Sequence, residues 1–198
     1  KTIVIACNYA SSVAGSSLQN IFQDVAIFNV IDPVVTEIVK ACFQCNIGVI
    51  GTKATIGSNV YERKINDFCK EAKVNSLATP LLAPMIEEGF FNEKISNTII
   101  TNYLTNPLLS NIDHLILACT HYPLIYNEIS EYYKGKVNII DSSKIIAKYI
   151  SNELKKQGLL NDTSKAKHQF FVSNYTKSFE KSAKFFFKED IKLEEVSL

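Results

Sequence analysis

Short apolar, β-branched runs alternate along this chain with longer stretches in which apolar residues return every three or four positions. The runs at 2–7, 25–30, 47–51, 114–118, 137–140 and 169–173 predict strands. The longer periods at 12–23, 34–43, 58–72, 93–104, 124–133, 143–157 and 176–187 predict helices. The helix over 143–157 has the fullest set of signals: Ile145, Ile146, Tyr149, Ile150 and Leu154 make one apolar face, Asp141 or Ser142 can cap its start, and Gly158 can end it. Strands that are apolar throughout and separated by helices predict parallel sheets covered on both faces. The fold class is α/β.

Composition narrows the function. The 198 residues allow one or two small domains with real cores, and 46% hydrophobic content is that of an ordinary globular protein. A net charge of +1 gives no electrostatic footprint for nucleic acid or an anionic membrane. Lys177, Lys181, Lys184 and Lys188 are interleaved with Phe185, Phe186 and Phe187, which reads as a solvated face over an apolar stripe. No apolar run approaches the ~20 residues that span a bilayer, and the stretch after Lys1 is too short for a signal peptide. An odd count of five cysteines, with no export signal, predicts reduced thiols in a cytoplasmic protein rather than a disulfide framework. Lys1 opens directly into a strand, so sequence upstream of it is expected.

Ile3-Val4-Ile5-Ala6-Cys7-Asn8 is echoed by Leu115-Ile116-Leu117-Ala118-Cys119-Thr120. Each is an apolar strand, then Ala-Cys, then a small polar residue, with a helix following. Two similar units imply two similar half-molecules, with candidate boundaries at Asp32-Pro33 and at Ile140-Asp141-Ser142. Both cysteines stand where an α/β sheet collects ligands, at the carboxyl ends of strands that meet helix N-termini. Free N–H groups and a partial positive charge there stabilise a thiolate or a bound carboxylate. Asn8, Thr120 and His121 are short hydrogen-bonding groups suited to a small zwitterion. The other candidates are weaker. Cys42-Phe43-Gln44-Cys45 lacks the second pair that zinc needs and closes a helix instead of opening one. Cys69 reads as packing, His114 and His168 as residues at strand boundaries, and Gly48-Val49-Ile50-Gly51-Thr52-Lys53 departs from the phosphate-loop pattern.

The motifs carry a family resemblance over essentially the whole chain. Cys7-Asn8-Tyr9-Ala10-Ser11 resembles the C-N-T-A segment of glutamate racemases, with Tyr9 where Thr is usual. Cys119-Thr120-His121-Tyr122-Pro123-Leu124 resembles their G-C-T-H-Y-P-L segment. Ile31-Asp32-Pro33, Gly48-Val49-Ile50-Gly51-Thr52 with Thr55, Pro84-Met85-Ile86-Glu87-Glu88-Gly89 and Ile140-Asp141-Ser142 match in the same order. The family's upstream D-S-G and P-Y-G segments have no counterpart in these residues.

The resemblance implies two pseudo-symmetric three-layer domains with mostly parallel sheets and the active site in the cleft between them. Residues 1–32 and 142–198 would form one domain and 33–141 the other. It implies racemisation of L-glutamate to D-glutamate for peptidoglycan and cell-wall synthesis, without a metal, pyridoxal phosphate or any other cofactor. Cys7 and Cys119 would be the opposed acid and base, with His121 and Glu87 beside the second thiol. The choice of Glu87 over Glu88 rests on motif register. Asn8, Tyr9, Thr52, Thr55, Thr120 and His121 match substrate-contacting positions, and a homodimer would be in keeping with the family. Two alternatives stay open: a racemase of aspartate or a related acid in the same superfamily, and a catalytically impaired fragment that acts as a binding protein.

Overall fold

The computed structural model describes residues 2–91, 93–161, 167–187 and 189–197. Lys188, one of the cationic positions singled out above, and the side chains of Phe185 and Phe186 lie outside the described residues. Strand β1 (Thr2–Ile5) leads through Cys7 into α1 (Asn8–Ile21) and back to β2 (Ala26–Asn29), which pairs parallel to β1. Then come α2 (Asp32–Ala41), β3 (Asn46–Gly51), α3 (Lys53–Gly57), α4 (Val60–Phe68), β4 (Lys73–Ala78), α5 (Leu82–Glu87) and α6 (Lys94–Leu104). Strand β5 (His114–Ala118), a 3-10 turn at Tyr122–Ile125, α7 (Tyr126–Tyr133) and β6 (Asn138–Ile140) complete a parallel four-stranded sheet of order β4-β3-β5-β6. Helix α8 (Ser142–Lys156), β7 (Phe170–Val172), α9 (Lys177–Phe187) and β8 (Leu193–Glu195) follow, with β7 and β8 again parallel.

The four-stranded sheet shows why these runs are so apolar. Side chains alternate between faces along a strand, and both faces here are covered by helices. In β5, Ile116 and Ala118 enter a core with Val34, Val35 and Ile38 of α2 and Tyr61 and Ile65 of α4. Leu115 and Leu117 enter a second core with Ile86 of α5, Ile100 of α6 and Ile129 of α7. Every one of these side chains is nearly inaccessible to water. The mixed α/β class and the parallel sheets match the expectation from the sequence.

Gly48 of β3 faces the second core where there is no room for a side chain. A Cβ there would sit 2.8 Å from Ile112 Cδ1, 3.0 Å from Leu109 Cδ2 and 3.1 Å from Leu115 Cδ1. Three methyl groups of a packed core would have to move together. Gly48→Ala is therefore expected to destabilise the protein by about 1–2 kcal/mol, read as a lower midpoint in urea unfolding with an unchanged slope.

Helix α8 begins and ends as its signals predict. Asp141 Oδ1 accepts from Ser143 N–H at 2.9 Å, and Gly158 adopts φ of +66°, a left-handed terminator that glycine takes without strain. Ile145 and Ile146 pack on the first core, and Tyr149 meets the Phe28 ring edge-on. The predicted helix over 58–72 starts earlier and in two pieces, because Asn59 at φ of +52° turns the chain between α3 and α4. The cysteines also differ from expectation. Cys42 and Cys45 are joined in a disulfide, since the end of α2 and the approach to β3 bring their Cα atoms to 5.6 Å. Cys69 is buried beside them, its thiol donating to the Phe43 carbonyl at 3.1 Å.

Candidate active site

Strand register assembles one side of the site. Gly51 ends β3 opposite Ala78 of β4 and Ala118 of β5. Thr52, Thr79 and Cys119 therefore leave three adjacent strands at the same carboxyl edge. Thr52 caps α3, its Oγ1 accepting from Thr55 N–H at 3.2 Å and lying 3.1 Å from Thr55 Oγ1. Thr55 is buried and Thr52 half-buried. Beneath them a closed network fixes the edge: Thr79 N–H donates to Gly51 O, and Thr79 Oγ1 lies 2.7 Å from Tyr122 Oη. Both residues are fully buried, and burial pushes the Tyr122 phenol above its ordinary range, so it keeps its proton as a structural donor.

Cys119 is buried at the end of β5, and Thr120 beside it is exposed. Burial raises the Cys119 thiol pKa; backbone N–H groups of His121 and Tyr122 pull it down, while negative charge at Cys7 and Glu87 pushes it up. The chain turns at once, so His121 Nδ1 lies 3.5 Å from the sulfur. His121 Nε2 is 3.0 Å from Glu87 Oε1 at the end of α5. A carboxylate only accepts, so Nε2 carries the proton in that contact and Nδ1 is the nitrogen turned to the sulfur. It is Glu87, not Glu88, that meets the histidine. The Glu87 backbone is held in turn by α9, where Ser182 Oγ donates to its carbonyl at 2.9 Å. Between α5 and α9 opens a cavity of about 450 Å³ lined by His121, Glu87, Phe179 and Phe187 among others.

The other side of the site is the N-terminus of α1. Cys7 is exposed and takes the N-cap position of this 14-residue helix, its carbonyl accepting from Ser11 N–H at 2.8 Å. A thiol there faces unpaired N–H groups and the positive end of the helix dipole. Helix α1 packs against α3, which carries Thr55, and negative charge at Cys7 is one of the causes that raise the Cys119 thiol. Asn8 is buried, and Tyr9 beside it is exposed.

Tyr61, Thr79 and Tyr122 also hold this site together through buried hydrogen bonds. Only Tyr122 carried a signal, its place in the C-T-H-Y-P-L run. Tyr61 reads as one more apolar position on a helix, and Thr79 as a loop residue. His114 lies at the opposite end of β5 from Cys119, paired with Asn138. Among the described residues no three His, Cys, Asp or Glu side chains gather so as to hold a metal ion. Nor is any described helix long and apolar enough to cross a membrane.

Comparison with known proteins bears on this arrangement directly. Residues 1–150 match the family described as Asp/Glu/Hydantoin racemase. A curated glutamate racemase from Persephonella marina is 40% identical over 200 residues, which cover 99% of this chain and 73% of that protein. A glutamate racemase structure from Francisella tularensis in complex with D-glutamate superposes with a TM-score of 0.90 at 33% identity, covering 100% of this chain and 73% of the other. One from Bacillus anthracis gives 0.92 at 33% identity, covering 100% and 74%. With the Cys119–His121–Glu87 chain at the sheet edge and a second cysteine at a helix N-terminus, the chain belongs to the Asp/Glu/Hydantoin racemase family and sits among the glutamate racemases within it.

Proposed function

We propose that this protein interconverts L- and D-glutamate by a two-base mechanism in which Cys7 and Cys119 act on opposite faces of the α-carbon. The observation that carries the reading is the Cys119–His121–Glu87 chain at the sheet edge, together with a second free thiol, Cys7, at the N-terminus of α1. One sulfur, as thiolate, takes the α-proton. The resulting carbanion is stabilised by delocalisation into its own carboxylate and by hydrogen-bond donors around that group. The other sulfur, as thiol, delivers its proton to the opposite face. The net change is inversion alone, and the two thiols exchange protonation states in each turnover. Side chains alone suffice for these proton transfers, without a metal or pyridoxal phosphate.

Substrate contacts are assigned to Asn8, Tyr9, Thr52, Thr55, Thr120 and His121, with His121 also serving Cys119. Residues 1–32 and 142–198 are read as one domain and 33–141 as the second, so the substrate lies between the element bearing Cys7 and the sheet edge bearing Cys119. D-glutamate made this way would supply peptidoglycan synthesis in the cytoplasm, from a protein working as a homodimer. Glutamate is favoured over aspartate because curated relatives at 33–40% identity are glutamate racemases. Chiral chromatography after incubation with L-glutamate or L-aspartate tests the assignment. L-glutamate is expected to reach equal amounts of both enantiomers, with aspartate slower by about tenfold or more, the usual worth of one methylene. Preference for aspartate, or no D-glutamate at all, would overturn it.

A further inference from the structure

Tyr61 joins the two halves of the site in a way the two-thiol chemistry alone does not require. It stands on α4 in the core under the four-stranded sheet, and its Oη lies 2.6 Å from Oδ1 of Asn8, the first residue of α1 and the neighbour of Cys7. Both side chains are 2% exposed. A separation of 2.6 Å suits O–H···O and is short for N–H···O, so the phenol donates and the amide oxygen accepts. Burial keeps the phenol protonated, so the donor persists at any pH the protein tolerates. The amide is thereby fixed in one of its two orientations. Its other branch, Nδ2, is buried and has no hydrogen-bond partner among the described residues. A buried, unsatisfied pair of N–H donors is costly to leave unmade. Here it lies beside a thiol and at a helix N-terminus, where an anionic group is favoured.

We propose that Tyr61 is a positioning residue for substrate recognition: by holding Asn8 Oδ1 it commits Asn8 Nδ2 to donate to a substrate carboxylate beside Cys7. The inference rests on the reading of the site as an amino-acid racemase. Without the phenol the amide can turn over and present its oxygen to the carboxylate, which repels it. The bond also ties the element carrying Cys7 to the sheet carrying Cys119, so one side chain sets both where the carboxylate binds and how the halves meet.

A double-mutant cycle on the full chain tests this. Tyr61→Phe is expected to raise the KM for glutamate about tenfold, the scale of one buried hydrogen bond, with kcat changed less than KM. Asn8→Ala should raise KM at least as much, and adding Tyr61→Phe to it should change KM less than twofold. Effects that multiply in the double variant, or a KM untouched by Tyr61→Phe, would overturn the proposal. Nitrogen-15 spectra of the Asn8 amide pair, assigned by its loss in Asn8→Ala, give a readout independent of turnover. The pair should shift in Tyr61→Phe without ligand, and in the unaltered protein on adding L-glutamate. A pair that stays fixed in either case contradicts the proposal even if racemisation is normal. Shifts in both cases without racemisation would uphold it and sink the catalytic reading instead.

Discussion

Replacing either Cys7 or Cys119 by alanine is expected to lower kcat for glutamate racemisation by at least about 10³-fold, within the range ascribed to one positioned acid or base. Inversion needs a proton removed from one face and another delivered to the opposite face, so neither sulfur can substitute for the other. The stability cost should differ between the two. Cys7 is exposed at the start of α1, and its loss should leave the thermal midpoint unchanged. Cys119 packs in the second core with Ile50, Leu117 and Tyr122, so Cys119→Ala should lower the midpoint by a few degrees while the protein stays folded. Each single variant keeps one working sulfur on one face. Each should therefore still exchange the α-proton of one enantiomer with solvent, and the two variants should differ in which enantiomer exchanges. Variants that both exchange the same enantiomer would argue against opposed thiols.

His121→Asn is expected to lower kcat by about 10²-fold, because in the proposed mechanism His121 Nδ1, 3.5 Å from the Cys119 sulfur, exchanges a proton with it. Glu87→Gln separates position from charge. The Gln amide oxygen can still accept from Nε2 and hold the ring, but the negative charge is gone. That charge is one of the causes that raise the Cys119 thiol. The sign follows from the active form, which holds one proton between two thiols. Raising the Cys119 pKa preserves that proton to higher pH and so extends the alkaline limb of the kcat/KM profile. Glu87→Gln should move that limb to lower pH, with a loss of roughly tenfold in kcat as the ring loses its charged anchor. A limb that moves upward, or a His121→Asn variant as fast as the parent, would contradict these roles. The apparent pKa values belong to the thiol pair as a whole.

Much of this was legible in the residues, for identifiable reasons. Strand β5 and the cap and terminator of α8 appear where expected because each rests on a local rule: unbroken apolar character in a strand buried on both faces, an Asp N-cap, a glycine at positive φ. Strand β4, Lys-Val-Asn-Ser-Leu-Ala, carries no clear strand pattern because it lies at the sheet edge, with β3 its one strand partner among the described residues. An edge strand tolerates polar residues and loses the pattern that marks its neighbours. Strand β8, Leu-Glu-Glu, is also at an edge and lacks the pattern for the same reason. Helix α5, six residues ending at Glu87, is too short for a periodic signal. The echoed Ala-Cys units pointed to both thiols, and motif register to His121 and Glu87. The bond from Tyr61 to Asn8 spans 53 positions and depends on how α4 meets α1, which no local pattern records.

The claim at the centre is that two thiols, not one, handle the α-proton. Initial-rate racemisation of protiated L-glutamate in D2O tests it directly, with product and recovered substrate analysed separately for α-deuterium before reversal is appreciable. Two opposed bases predict D-glutamate carrying deuterium from its first appearance, formed alongside L-glutamate that keeps its proton. D-glutamate that retains the substrate's own proton would show a single group working on both faces and would contradict the account.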